Sequence, residues 1–522
     1  MKKKIISVLT AALLLGLSGC AGQTGESSQS QSTQSTSSQE KHINVAFFWI
    51  STDLDPTENY NGWVTSRLGV GETLLKLDDN LELEAGLADE WENVDELTWT
   101  FHIREGVSFS NGKEVTAQAV ADCLQRAVDS NDRAAEYLKL DSITAEGQTL
   151  TVTTTEPNAA LLNNLVEPVF DIIDVSQEEN DIDTAPAATG PYVISSFTSE
   201  EKVELTANEN YWGGEVGLDS ITVTQIADSD ARAMALQSGE VDLTNTIDNT
   251  TLALFEGEDY NISSIISPRV NVAYMNNAQS SPLSDIELRK AISYGVDRES
   301  YASLIGGSAA HSAYSDSTPF GNDIIDAYSY DADKAEEILD AAGYVDVNND
   351  GYREDPNGNA LSLRYLQAAD HGSSDSAILA QGVQSDLKKI GIQVEILSVE
   401  NLSDYQNSGD FDFYTANDNS APTGDPQVWL ETMYTNQGAS GKKNLTGFQD
   451  DEIDAIVEQM KSCFDTQERY QLAAQASQIL NDDAANLFLT NSYLNMVSLA
   501  KVKNAKQPVC DYYFITKDIT VE

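Results

Sequence analysis

Apolar positions recur along this chain with two periods, and the two sort into strands and helices. A period of two runs through Ile43, Val45, Phe47 and Trp49, so regular structure is predicted to begin at Ile43. The same alternation in Leu97, Trp99, Phe101 and Ile103 predicts a second strand, with further strands at 150–154, 203–205 and 221–223. Between the first two lies a polar, aromatic loop, Asp55 to Trp63, followed by a helix expected around Val64–Leu75. Asn111-Gly112 is a turn signal, and Thr116 is placed to cap a helix whose inner face carries Val120, Leu124, Ala127 and Val128.

The second half alternates helices and strands. Ser284 with Glu287 has capping-box spacing ahead of Leu288, Ala291 and Ile292, and Asp333 with Glu336 repeats it before Ile338, Leu339, Ala342 and a closing Gly343. A stripe of Ile378, Leu379, Val383, Leu387 and Ile390 ends at Gly391, and Ile392, Val394 and Ile396 then alternate as a strand. Helix, glycine, strand is an α/β unit. With 522 residues the chain exceeds what a single core sustains, so at least two lobes are expected.

The N-terminus follows neither period. Lys2, Lys3 and Lys4 precede an apolar run, Ile5 to Leu17, of signal-peptide length and too short to span a bilayer. The run ends in Leu17-Ser18-Gly19-Cys20, which resembles the lipobox of bacterial lipoproteins. That resemblance implies cleavage after residue 19 and a lipid on Cys20. The alternative is an ordinary secretory signal with an incidental cysteine. Residues 21–40 contain no Leu, Ile, Val, Phe or Trp and read as a flexible tether with a reach of about 25 Å. The expected location is extracytoplasmic, at the membrane surface.

Charge narrows the function. There are 84 acidic against 30 basic residues, a formal −54 that becomes −57 once residues 1–19 are removed. A chain so acidic is not built to neutralise phosphates, which excludes nucleic-acid binding and anionic lipid surfaces. The acidity itself reads either as solubility or as a preference for cationic ligands. Cys123, Cys463 and Cys510 are far apart, with no C-x-x-C motif; buried thiols are the default, with one disulfide possible.

Catalytic signatures are missing. No G-x-S-x-G, H-E-x-x-H, P-loop or dinucleotide fingerprint occurs, and His42, His102, His311 and His371 have no ligand spacing. No cofactor is expected. One stretch has cation-loop spacing: Asp346, Asn348, Asp350, Tyr352 (through its carbonyl) and Glu354, with Gly351 at the sixth position. Asn357 stands where a bidentate Glu closes such a loop, so weak Ca²⁺ binding and a plain acidic turn both remain open. Two aromatic and polar clusters, Tyr60, Trp63 and Arg67, and then Tyr414, Asn417, Asn419, Asp425 and Trp429, are suited to line a pocket or to pack lobes.

Several of these segments together resemble the family 5 extracellular solute-binding proteins, the peptide- and nickel-binding components of ABC importers. Trp99 to Ala117 is similar to the family signature. Thr189-Gly190-Pro191-Tyr192 is similar to its G-T-G-P-Y turn, with Ala188 in place of the first glycine. Asn208 to Gly213 resembles its N-x-x-Y-W-G turn, Leu288 to Arg298 its R-x-A helix, and Asp425-Pro426 the D-P of a ligand-side loop. The match runs in order over nearly all of residues 43–522.

The resemblance implies a two-lobe α/β fold of the periplasmic-binding-protein kind, spanning 41–522. Lobe I would hold 41–76, 184–268 and 486–522, an inserted subdomain 77–183, and lobe II 269–485. The ligand would lie between lobes that close on it, and the protein would act as a monomer with a permease and an ATPase. Pro422 stands about where well-known peptide binders carry an Asp. Neither the Trp of one kind of nickel binder, near Asn419, nor its Arg, near Phe170 or Asp171, is present. The segment from Arg67 to Leu74 is closer to the nickel-type branch. A short peptide and a nickel chelate both stand, with the family's breadth favouring the peptide. Arg67 and Arg269 suit an anionic group and Asp425 an amine. The aromatics Tyr60, Trp63, Tyr414 and Trp429 suit side chains or a chelator ring. A sensory or adhesion lipoprotein reusing the fold, and more remotely a secreted hydrolase, are the rival readings.

Overall fold

The computed structural model describes residues 40–320, 325, 327–369, 374–436 and 444–522. Cys20 and residues 21–39 of the tether lie outside them. The frame is one mixed sheet of eleven strands. Its main path runs Gln393–Val399, Ser362–Ala368, Phe413–Asn419, Tyr260–Met275, Asn486–Leu499, Leu243–Asn245, His42–Phe47, Ser220–Gln225, Lys202–Ala207 and Tyr192–Thr198. Gly307–Ala309 pairs with Asn486–Leu499 off this path.

Two strands cross from one lobe to the other. In the first lobe, Tyr260–Ile266 pairs antiparallel with Tyr493–Leu499. The register then shifts, and Val270–Tyr274 pairs with Asn486–Asn491 in the second lobe. The break falls at Ser267–Arg269, where Ser267 Oγ accepts the Arg269 N–H at 2.8 Å instead of a ladder partner doing so. The return crossing lies within Asn486–Leu499. Leu487 and Leu489 belong to a second-lobe core, while Val497 packs in the first lobe.

Strand alternation builds two cores in the second lobe. From Tyr260–Met275, Val270, Val272 and Tyr274 face one cluster, and Ala273 and Met275 the other. Helix Ser374–Lys389 connects the parallel pair Ser362–Ala368 and Gln393–Val399 in the manner of a βαβ unit.

The segment expected as an insertion forms a four-stranded antiparallel sheet, ordered Ala88–Asn93, Thr98–Ile103, Thr149–Thr154, Leu140–Glu146. Trp99, Phe101 and Ile103 point inward beneath helix Ala117–Ser130, whose N-cap Thr116 accepts from Ala119 N–H. That face is continuous with the first-lobe core of Ile43, Val45 and Leu205. Gly190 shows why the turn at 188–192 needs glycine: a Cβ there would lie 2.5 Å from the carbonyl oxygens of Gly69 and Val70.

Three local expectations are corrected. The helix after the aromatic loop spans Asn61–Arg67 and stops, because Leu75–Leu77 is drawn into a hairpin with Leu83–Ala85. The cap of Ile286–Gly295 is Asp285, since Ser284 ends a preceding 3₁₀ turn, Pro282–Ser284. Asp331 rather than Asp333 caps Ala332–Ala342, accepting from Lys334 N–H at 2.9 Å. All three internal cysteines are buried free thiols.

Candidate functional site

A cavity of about 450 Å³ lies where the first lobe, the inserted sheet and the second lobe meet. Phe48 and Trp49 enter from the end of strand His42–Phe47, and Tyr60, Trp63 and Arg67 from helix Asn61–Arg67 and its N-cap. Positions 60, 63 and 67 are one helical stripe, so the three side chains stack on one face. Helix Asp132–Leu138 supplies Arg133 and Tyr137, and the turn before Pro168 supplies Glu167. Arg269 comes from the crossing, and Asn417, Asp418, Asn419 and Pro422 from the second lobe.

Arg67 is 4% exposed. Its guanidinium lies 5.2–5.4 Å from the centroids of Phe48, Trp63 and Phe514. Its Nε donates to the Asp511 carbonyl at 2.8 Å, while its two terminal nitrogens donate to none of the described residues. Burial pushes its pKa down to about 10, with Arg269 adding repulsion and Asp511 opposing the fall. The other two arginines are neutralised. Arg269 donates from Nε and Nη2 to Asp511 Oδ2 at 2.9 and 2.6 Å, and Nη1 donates to the Asn417 carbonyl at 3.1 Å. Burial disfavours its charge, but Asp511, joined by Asp418 and Tyr512, raises its pKa on balance. Arg133 lies 4.2 Å over the Tyr60 ring and 3.2 Å from Glu167 Oε1.

The carboxylates of the cavity are engaged. Glu167 accepts from Trp63 Nε1 at 2.8 Å and from Val169 N–H at 2.6 Å. Asp418 accepts from the Tyr274 hydroxyl, and burial raises its carboxyl above the usual range. Among the described residues, no group of three or more His, Cys, Asp or Glu side chains is arranged to hold a metal ion.

The sequence-selected residues divide. Tyr60, Trp63, Arg67, Arg269, Asn417 and Asn419 all line the cavity. Tyr414 stacks on Tyr274 with centroids 5.0 Å apart, and Trp429 packs between Tyr314 and Tyr434; neither is among the lining residues. Asp425 is buried away from the cavity and binds Arg469 Nε and Nη2 at 3.1 and 2.5 Å. In the acidic loop the oxygens face the loop's own donors. Asp346 takes Gly351 N–H at 2.9 Å, Asn348 takes Asp350 N–H at 2.8 Å and Asp350 takes Tyr352 N–H at 2.9 Å. Glu354 takes Val347 N–H at 2.8 Å and Asn348 Nδ2 at 2.6 Å. Phe48, Trp49, Arg133, Tyr137, Glu167 and Asp418 were not singled out from sequence. Asp171 sits beneath helix Asn61–Arg67, accepting from Thr65 Oγ1 at 2.7 Å and Ser66 Oγ at 2.9 Å.

The inserted segment and the second lobe also touch directly. Asn163 Nδ2 donates to the Thr423 carbonyl at 2.9 Å, and Ala159 N–H to the Lys461 carbonyl at 2.9 Å. Glu431 lies 3.7 Å from Lys139 across the seam and 3.2 Å from Lys461. Gly424, at φ +72°, lets the second-lobe loop approach Leu81, whose carbonyl oxygen would lie 2.7 Å from an added Cβ.

Two lobes that together line a cavity are the architecture of a binding protein, and sequence comparison decides which kind. The profile of the bacterial extracellular solute-binding proteins, family 5 (middle), matches residues 82–441. The chain belongs to this family. As a member it is the solute-binding component of an ABC importer, working outside the cytoplasm. A nickel ABC transporter structure from Bacillus halodurans is 31% identical, with a TM-score of 0.78 over 92% of this chain and 100% of that one. The nickel-binding protein NikA of Staphylococcus aureus is 25% identical over 489 residues, 93% of this chain and 95% of the relative. The dipeptide-binding protein of Escherichia coli is 24% identical over 470 residues, 83% of each chain. These family 5 relatives are binding proteins.

Proposed function

We propose that this family 5 protein captures a small metal chelate that presents a carboxylate, with nickel as the metal, and delivers it to the permease without chemical turnover. Arg67 carries this reading. A desolvated guanidinium with two unused donor nitrogens facing a cavity is arranged for a carboxylate. A peptide's ammonium would need an unpaired charged carboxylate instead, whereas Glu167 is paired with Arg133 and burial disfavours the charge on Asp418. A chelate brings its own metal donors, which agrees with a cavity walled by aromatics, amides and arginines. The likeness to nickel-binding relatives supports the same choice. No Ser, Thr, Cys or His is among the lining residues, so no Ser–His or Cys–His pair is assembled there for hydrolysis.

The test is native mass spectrometry and calorimetry on protein lacking residues 1–39. Ni(II) with L-histidine should bind one-to-one, whereas Ni(II) alone and short peptides should not. Retention of a peptide, with no response to the chelate, would replace this reading by peptide import. We further propose that Cys20 carries the lipid anchor; Cys20→Ser should release the protein from the membrane fraction into the medium.

A further inference from the structure

We propose that Glu167 is a specificity-determining residue, whose carboxylate balances Arg133 inside the cavity and so sets how much negative charge the bound ligand carries. This deepens, and rests on, the chelate reading above. Three guanidiniums face one cavity in a chain with 30 basic residues. Asp511 neutralises Arg269 at 2.6 Å and Glu167 pairs with Arg133 at 3.2 Å, while Arg67 has no hydrogen-bonded carboxylate. Asp418, the remaining acidic group on the wall, faces the Tyr274 hydroxyl. Arg67 is therefore the one cavity arginine without a paired carboxylate. Glu167 is 1% exposed and cannot turn away, because Trp63 Nε1 and Val169 N–H hold its two oxygens. A fixed, desolvated carboxylate on the wall repels any second anionic group that a ligand presents there. A purely structural Glu167, capping the turn Pro168–Phe170, would leave ligand charge preference untouched.

The experiment compares two probes, the electroneutral complex of Ni(II) with two L-histidines and the dianionic Ni(II)–EDTA complex, by calorimetry on the mature chain. The readout is the ratio of their dissociation constants. Glu167→Gln should shift that ratio about two hundredfold or more toward the dianion, the size expected of one charge acting on two over ~10 Å at an effective dielectric constant of about 20. Arg133→Gln should shift it by a similar factor the other way. The double variant should return it to near the wild-type ratio, which a loss of packing would not do. Unchanged ratios in single variants that retain the wild-type melting transition overturn the proposal. If Glu167→Gln does not fold, the opposite shift required of Arg133→Gln decides. Wild-type protein that binds neither complex overturns the chelate reading itself, and this inference with it.

Discussion

Replacing Arg67 with methionine should separate affinity from stability. Folding removes this guanidinium from water, and burial, with repulsion from Arg269, pushes its pKa down to about 10. At neutral pH that fall corresponds to roughly 3 kcal/mol of disfavoured charge. Stacking against Phe48, Trp63 and Phe514 returns part of it, at about 0.5–2 kcal/mol for a desolvated cation on an aromatic face. Methionine fills similar volume, keeps the apolar contacts and needs no hydration. The melting temperature of unliganded Arg67→Met should therefore stay within about 2 °C of wild type or rise, since surplus and loss nearly cancel. Affinity should behave differently. A charge-assisted hydrogen bond contributes about 1.5–3 kcal/mol, so the dissociation constant for Ni(II) with L-histidine should rise between about tenfold and a hundredfold. Calorimetry and differential scanning of the same preparations give both numbers. Wild-type affinity in the variant would refute Arg67 as the anion anchor. A collapse of the unliganded melting transition would show that the guanidinium serves packing instead.

The closed seam should be separable from the pocket. Gly424→Ala sets a Cβ against the Leu81 carbonyl oxygen and a left-handed backbone onto alanine; affinity should fall by about tenfold, more than the unliganded fold loses, and equal losses in both would argue against a closure role. Glu431→Gln removes the charge shared by Lys139 and Lys461, so ligand release should quicken by about two- to fivefold and its dependence on salt should weaken, as stopped-flow measurements would show. Burial pushes the Asp171 carboxyl up to about 8 from 3.8, so the folded state holds a proton that the unfolded chain has released over that interval. Its contribution to stability is present at low pH and lost as pH rises through about 8, and Asp171→Asn should flatten the decline in melting temperature between about pH 5 and 8. A decline of wild-type steepness in that variant would assign the slope to other groups.

How much of this was readable in the chain depends on the range over which each signal acts. Strands such as Thr98–Ile103 and helices such as Ala117–Ser130 were legible because local alternation and a capping Thr116 point to the same answer as the tertiary packing. The helix after Tyr60 was misjudged in length because apolar residues up to Leu75 continue past Arg67, and only pairing with Leu83–Ala85 turns them into a strand. The site shows the same division. Tyr60, Trp63 and Arg67 share a helical stripe, so selecting one selects the others. Asp425 and Arg469 are 44 positions apart, so no local pattern shows that the aspartate is already occupied. Glu167 is harder still: its partners Trp63 and Arg133 come from separate elements, and its role exists only once the inserted sheet docks on the first lobe. Residues that contact a ligand directly tend to announce themselves by type, as aromatics and arginines do in so acidic a chain. Residues that set the charge those arginines present do not, because a buried glutamate is indistinguishable in sequence from 83 other acidic residues. The ligand's charge is therefore written in the pairing of cavity groups, and varying one member of each pair is the way to read it.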